Sequence, residues 1–153
     1  MRAAPSSVLA VARVAPNSQR RFRGRRVLVL AHVNRITSGS DYQGVVRRGV
    51  RIVGVHTVLY VRKSAGDQSD VAGVPVRFGF IVAKNVGDAV KRNLVRRRLK
   101  AVTFELLPLV PAGTDVVIRA LPGASKIAWQ ALRDEVHRSL SRPQSARKNS
   151  VGR

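Results

Sequence analysis

Residues 91–100, KRNLVRRRLK, hold the side chains whose types and spacing best suit binding chemistry. The stretch contains six cations and no anion in ten residues, and its apolar residues keep helical spacing. Arginine presents a planar fork of donors that matches the oxygens of a phosphate group. The segment therefore predicts a helix with a phosphate-binding face.

On a helical wheel of about 100° per residue, the apolar residues of this helix cluster on one side as a core stripe. The stripe consists of Val95, Leu99, Val102 and Leu106. An adjacent sector holds Arg92, Asn93, Arg96, Arg97 and Lys100. Arg98 lies outside it and is expected either to flank the core or to extend its charged end to solvent. A solvated structural helix normally interleaves both signs of charge. Here Asp88 is the one acid within four residues of Arg92, Arg96 or Lys100, which favours phosphate binding over a merely soluble surface.

Residues that could perform catalysis are dispersed along the chain. His32, His56 and His137 are far apart and lack partners at metal-ligand spacing. The eight acids are scattered too, whereas a metal-dependent protein nuclease needs converging carboxylates. No P-loop pattern is present, and the absence of cysteine excludes thiolate nucleophiles and Cys-ligated zinc. We therefore expect no catalytic residue and no metal site in this chain.

The charge balance points to a polyanionic partner. The chain has 29 Lys and Arg against 8 Asp and Glu, a formal net charge of +21. Nucleic acid is the usual partner for such a protein. A membrane surface is less favoured, because it would call for a basic helix with bulky aromatics and aromatic content is 5%. No apolar run approaches the roughly 20 residues of a membrane span. Hydrophobic residues make up 44%, which is enough for a folded core.

Composition divides the chain into three parts. Residues 1–33 contain seven arginines and no acid. They are interpreted as a disordered basic arm, with an organelle transit peptide or a biological start further in, near Val27 or Val29, as open alternatives. Residues 34–141 have the mixture of apolar and polar residues expected of one folded domain. Residues 142–153 form a basic tail that is predicted to be disordered.

Local patterns within the domain predict the order α-β-β-α-β-α, with one or two hairpin strands before the long helix. This is an α+β sandwich with helices packed on a sheet. Residues 38–41 offer N-cap chemistry for a short helix that ends at Gly49. Residues 50–63 and 74–84 are rich in strand-forming side chains, and so are residues 115–120. Asp88 is expected to cap the long helix, which Pro108 ends.

A last helix is predicted after residues 122–123, which form a turn. Ser125 is expected to cap it, because a serine oxygen accepts from free helical N–H groups. Its core stripe is predicted to be Ile127, Ala131, Leu132, Val136 and Leu140.

Residues 79–100, GFIVAKNVGDAVKRNLVRRRLK, resemble the signature of the bacterial ribonuclease P protein component. In that family a Gly-Leu-x-Val-Ser-Lys-Lys strand leads through Val-Gly-x-Ala-Val into an Arg-Asn-Arg helix. The matching residues are Gly79, Val82, Lys84, Val86, Gly87, Ala89, Val90, Arg92, Asn93, Arg96, Arg97 and Lys100. Weaker likeness extends the resemblance over about residues 34–140.

The resemblance implies a fold that local patterns do not give. Its order is α-β-β-β-α-β-α, a two-layer sandwich with a left-handed βαβ crossover, resembling the ribosomal protein S5 domain 2-like fold. This order requires two strands within residues 50–63, where the local pattern predicts one. The general rule favours right-handed connections, so the handedness is an expectation from the resemblance alone.

The resemblance also implies a function in tRNA maturation. The implied partners are a catalytic RNA and precursor tRNA, whose 5′ leader the assembly removes, with no membrane and no protein partner required. Mg²⁺ is expected to be held mainly by the RNA, and the location is expected to be cytoplasmic. The protein would contribute positive charge and positioning, since cations bound to phosphates release condensed counterions.

The resemblance also implies which residues form the binding sites, by their matching positions in the sequence. Arg92, Asn93, Arg96, Arg97 and Lys100 match the family's basic helix, which meets the catalytic RNA. Tyr42, Val46, Tyr60, Lys84 and Asn85 match the family's cleft for the single-stranded leader, where aromatics stack on bases. The sequence departs from the family at four positions. Leu94 replaces the third basic residue of the family's helix, which predicts the loss of that contact. Asn85 replaces a Lys, Ala83 a Ser and Val46 a Phe, which predicts weaker leader stacking.

Two other classes of protein share part of this pattern. A structural RNA-binding protein of the ribosomal type would have the same charge and a similar basic helix, but not the Val-Gly-x-Ala-Val-x-Arg-Asn spacing. A DNA-binding regulator would place a recognition helix after a tight helix–helix turn. Here the turn before Asp88 follows a predicted strand, which argues against it.

Overall fold

The computed structural model describes residues 30–63 and 73–142, and these contain three helices and four strands. The helices are α1 (Gly39–Arg48), α2 (Ala89–Leu106) and α3 (Trp129–Ser141). The strands are β1 (Val50–Val53), β2 (Thr57–Lys63), β3 (Arg77–Ile81) and β4 (Thr114–Ala120). Short 3₁₀ helices occupy His32–Asn34, Lys84–Val86 and Leu107–Leu109. No helix in the described ranges is long and apolar enough to span a bilayer.

The four strands form one mixed sheet in the order β1-β2-β4-β3. β2 pairs antiparallel with both β1 and β4, whereas β3 and β4 are parallel and are joined through α2. Thus the order α-β-β-β-α-β-α is confirmed, and the single strand predicted for residues 50–63 was wrong. The local pattern missed the turn because Val55, which is 78% exposed, looks like a strand residue, while Gly54 N donates to Thr57 O across the turn at 2.8 Å.

Helices cover both faces of the sheet, because β2 and β4 bury side chains on each side. Leu59, Val61, Val116 and Ile118 belong to the main core with α2 and α3. On the opposite face Val58, Tyr60 and Val117 form a smaller cluster with Val45 of α1. The predicted two-layer sandwich was therefore incomplete, since α1 adds a third layer.

The long basic helix is positioned by a cap and a turn that the sequence predicts correctly. Asp88 Oδ1 accepts from Lys91 N at 2.9 Å, which satisfies a free N–H of the first turn. This bond is the first cause of the lowered pKa of Asp88. Gly87 precedes the cap at φ 149°, a conformation that favours glycine.

The predicted core stripe of α2 is confirmed, but two predictions for the last helix were wrong. Val95, Leu99, Val102 and Leu106 are all buried. In α3, Leu132 and Val136 are buried and Leu140 packs against the core, whereas Ala131 is exposed. Ser125 does not cap this helix, which begins at Trp129 with Ala128 at the N-cap position. Residues 126–128, between Ser125 and Trp129, form a turn and a bend rather than a helical turn.

The main core reaches into the region that composition assigns to the basic arm. Leu30 is fully buried in the main core, and His32–Asn34 forms a 3₁₀ helix. Residues 30–33 therefore belong to the folded domain. Residues 1–29 of the predicted arm and residues 143–153 of the predicted tail lie outside the described residues.

A chain of ion pairs fixes the start of α1 against the sheet. Asp115 of β4 accepts from Arg77 at 2.8 Å and from Arg62 at 2.9 Å, so it joins three neighbouring strands. Arg77 also donates to Asp41 of α1 at 3.0 Å. Burial alone would raise the pKa of Asp115, but the hydrogen bonds and charges of Arg77 and Arg62 outweigh it and hold the pKa below its usual value. This network, Arg62–Asp115–Arg77–Asp41, is called the ionic clamp below.

We expect acid to weaken the fold through the ionic clamp. The pKa of Asp115 is lower in the folded state, so its contribution to stability is complete above its usual pKa of 3.8 and is lost as pH falls below that value. Urea unfolding of the wild type at pH 6 and at pH 3 should show this loss. In Asp115→Asn the drop between the two pH values should be smaller. An equal drop in the two proteins would contradict the role of the clamp.

Candidate nucleic-acid interface

The predicted RNA-binding residues share one side of α2. Asn93, Arg96 and Arg97 are exposed, and Arg92 and Lys100 are half-buried beside the core stripe. These five residues are called the phosphate face. The helix is 18 residues long and continuous, so the successive turns of the face are held at the spacing of a rigid helix.

The carboxylates of the described residues are engaged away from the phosphate face. Each of the six lies within 4 Å of an Arg, Lys or His side chain: Asp41, Asp88, Glu105, Asp115, Asp134 and Glu135. None of these partners is Arg92, Arg96, Arg97 or Lys100. In the described part of the chain, therefore, the cations of the phosphate face have no internal counter-charge.

Two arginines of α2 differ from their neighbours in what they contact. Arg98 Nη1 donates to Ile127 O at 2.9 Å, which ties α2 to the segment before α3 and confirms that Arg98 flanks the core. Arg92 Nε is buried and has no hydrogen-bond acceptor among the described residues.

Three of the five predicted leader-cleft residues come together between α1 and the sheet. Tyr42, Val46 and Tyr60 all belong to the smaller cluster. Tyr42 Oη accepts from Phe80 N at 3.0 Å, and its ring lies against Gly79, where an added Cβ would be 2.5 Å from Cε1. Glycine at position 79 is therefore required for this close approach. Tyr42 and Val46 are half-buried, whereas Tyr60 is 8% exposed and serves as a packing residue.

The other two predicted cleft residues lie just beyond the end of β3. Lys84 and Asn85 begin the 3₁₀ helix Lys84–Val86, and both are exposed. The structure thus places them on the segment that leads from the sheet into α2. Leader binding by all five residues stays a prediction.

The sheet register reveals two cations that sequence reasoning missed. Arg51 pairs with Tyr60, and Arg119 pairs with Val58, so both arginines are on the α1 side of the sheet. Both are exposed. Strand alternation along each segment could have found them, but only once the pairing of β1 and β4 with β2 was known. They add positive charge beside the predicted cleft.

No set of three His, Asp or Glu side chains converges within the described ranges. His56 Nδ1 lies 3.1 Å from Glu135, and Glu135 also accepts from Thr57 Oγ1 at 2.6 Å and from the backbone N–H groups of both residues. Burial alone would raise the pKa of Glu135, but these hydrogen bonds lower it. Glu135 thus anchors the β1–β2 turn to α3.

The model of the family described as Ribonuclease P matches residues 30–144 of this chain. Among similar proteins, the ribonuclease P protein component of Clavibacter michiganensis subsp. michiganensis is 48% identical over 114 residues, 74% of this chain and 96% of the relative. The ribonuclease P protein component of Pseudarthrobacter chlorophenolicus is 39% identical over 133 residues, 81% of this chain and 93% of the relative.

Solved structures show the same fold at lower identity. The RNase P protein from Thermotoga maritima matches with a TM-score of 0.60 at 20% identity, over 71% of this chain and 96% of that chain. The RNase P protein of Staphylococcus aureus matches with a TM-score of 0.59 at 20% identity, over 70% of this chain and 92% of that chain. Because the family model spans most of the chain and close relatives match over nearly their whole length, the chain belongs to the ribonuclease P protein family.

Proposed function

We propose that this chain is the protein subunit of ribonuclease P. It binds the catalytic RNA and the 5′ leader of precursor tRNA, and it promotes endonucleolytic removal of the leader in the cytoplasm. The observation that carries the proposal is the phosphate face, a row of cations on a family-specific helix without counter-charges among the described residues. Because the chain belongs to the ribonuclease P protein family, we expect the ligand of the phosphate face to be RNA.

The protein's role in this reaction is electrostatic and positional. Arg92, Arg96, Arg97 and Lys100 bind phosphates and release condensed counterions, which lowers the repulsion between two RNA molecules. The half-buried ring of Tyr42 offers an apolar surface for an unpaired base of the leader, and Arg51 and Arg119 attract the leader's phosphates. Neither contact reads a base edge, which suits leaders of variable sequence.

The residues of the described ranges do not suit Mg²⁺ as a resident metal. Magnesium prefers carboxylate and water oxygens, and every carboxylate of the described ranges already faces a basic side chain. We therefore assign no reaction step to a metal held by the protein. The proposal places the Mg²⁺ ions, and the groups that break the bond, in the RNA.

The finer fold assignment is part of the same proposal. The parallel neighbours β3 and β4, joined through α2, are the βαβ unit to which the left-handed crossover applies. We propose that this connection is left-handed and that the domain resembles the ribosomal protein S5 domain 2-like fold.

Reconstitution tests the proposed function. The purified chain is combined with the ribonuclease P RNA of its own source, and precursor tRNA cleavage is scored for a mature 5′ end. We expect cleavage by the assembly and none by the protein alone. Robust cleavage by protein free of RNA would contradict the division of labour. A chain that copurifies with ribosomal RNA and leaves reconstituted cleavage unchanged would instead be a structural RNA-binding protein.

A further inference from the structure

A second feature of α2 lies on the side that faces away from the core. Val90, Leu94, Ala101 and Phe104 recur at spacings of four, seven and three residues, which keeps them within about 80° on a helical wheel. Their centre is roughly 150° from that of the core stripe. Val90 is 78% exposed, and Leu94 and Phe104 are each 37% exposed. These four residues are called the apolar stripe.

The fold does not use the apolar stripe. The buried residues of α2 are on the other side of the helix, and none of the four is among the described side chains packed against either hydrophobic cluster. A single exposed apolar residue needs no explanation, but apolar residues that recur along one side of a helix, here with Arg97 among them, indicate an interaction surface.

The charges around the apolar stripe decide what can occupy it. Arg97 lies within the stripe on the same wheel, and Asn93 and Lys100 border one edge of it. Glu105 borders the other edge, but its charge is paired with Arg133 at 2.6 Å. A second copy of this chain would bring the same cations against these, in a protein of net charge +21. The occupant must therefore offer negative charge and flat apolar faces together, which is the chemistry of a single-stranded nucleic acid.

We propose that the apolar stripe binds unpaired nucleotides of the RNA partner. Ten residues of helix, about 15 Å, separate Phe104 from Leu94. Phe104 therefore stacks on one base, and Leu94 and Val90 contact a base further along the same unpaired strand. Arg97 and Lys100 bind phosphates between the two bases. Paired RNA does not suit the stripe, because the bases of an A-form helix are stacked on each other and their faces are closed to a side chain. The inference rests on the proposed function and adds a contact to it, one that reads unstacked bases rather than backbone charge.

The salt dependence of binding separates this contact from the phosphate face. Losing a base stack weakens binding without changing the number of counterions released, whereas losing a phosphate contact also reduces the slope of log K against log salt by about one. We expect Phe104→Ala to weaken binding of the ribonuclease P RNA about 10-fold at an unchanged slope. Arg96→Ala should reduce the slope.

Four controls make the experiment decisive. Phe104→Trp should retain wild-type affinity, because indole stacks as well as phenyl does. Leu109→Ala removes another exposed apolar residue, outside α2, and should leave affinity unchanged. Melting curves of the variants verify that each is folded. A fully paired RNA of similar length should bind the wild type and Phe104→Ala equally.

The outcomes also separate the stripe from the proposed function. Binding of an unpaired oligonucleotide that depends on Phe104 supports the stripe whether or not reconstituted cleavage succeeds. Unchanged affinity of Phe104→Ala, or a loss with a smaller salt slope, would overturn the inference. So would sedimentation that shows a dimer of the free wild type which Phe104→Ala dissociates, because the occupant would then be a second copy.

Discussion

Replacing Arg96 and Arg97 together with alanine will reduce precursor cleavage far more at low Mg²⁺ than at high Mg²⁺. Both side chains are exposed on α2 and have no ion-pair partner among the described residues, so their charge is available to RNA phosphates. A hydrogen bond to a charged group contributes about 1.5–3 kcal/mol, so two lost contacts correspond to about 100-fold or more at low Mg²⁺. Excess divalent cation replaces the lost screening, which should leave a far smaller defect at high Mg²⁺.

The matched control removes the same amount of charge elsewhere. Arg138 and Arg142 are exposed at the end of α3, and replacing both with alanine changes the net charge equally. The assay measures single-turnover cleavage by the reconstituted assembly across a Mg²⁺ series. Equal defects at both ends of the series, or an equal defect in the control pair, would show that total charge matters rather than the phosphate face.

Replacing Glu135 with alanine will destabilise the domain by about 3 kcal/mol or more, because each buried polar group left without a partner costs about 1–3 kcal/mol. Glu135 Oε1 accepts from Thr57 N at 2.8 Å, from Thr57 Oγ1 at 2.6 Å and from His56 N at 2.9 Å. Thr57 is fully buried, so its donors lose a partner inside the domain. The midpoint of urea unfolding should fall while the dependence on urea concentration stays constant.

Asp134 is the control for this substitution. It precedes Glu135 in α3 but is exposed, and its nearest described cation is Arg133 at 3.8 Å. Asp134→Ala should change the free energy of unfolding by no more than about 0.5 kcal/mol. If the two alanine variants unfolded at the same urea concentration, Glu135 would not be the anchor of the β1–β2 turn.

The features of α2 could be predicted because they depend on nearby residues. The spacing of Val95, Leu99 and Val102 determines the buried side, and Asp88 caps the helix three residues before its bond donor Lys91. The layer formed by α1 could not be found in this way. It depends on Val45 meeting Val58 and Val117, which are distant in sequence and come together only in the paired sheet.

The candidate site likewise has features that can be predicted from the sequence and features that depend on the folded structure. The cations of the phosphate face are visible in the sequence, but their lack of counter-charges is not. The lack of counter-charges depends on the positions of acids in the folded structure. Asp115 lies between two arginines, and Glu105 lies beside Arg133. The apolar stripe is likewise hidden in a helix that is rich in charge, because exposure cannot be inferred from spacing when two sides of the helix are apolar.

The central place of β4 has a consequence for the protein as it is synthesised. β4 lies between β2 and β3, yet of the four described strands it is the last to leave the ribosome. Until it emerges, the β1–β2 hairpin has an open edge and β3 has no neighbour among the strands, a condition in which nascent chains associate wrongly. The basic helix α2 leaves the ribosome just before β4, and like charge keeps two unfinished chains apart. The arginines of α2 therefore limit association between growing chains before the RNA-binding surface is complete.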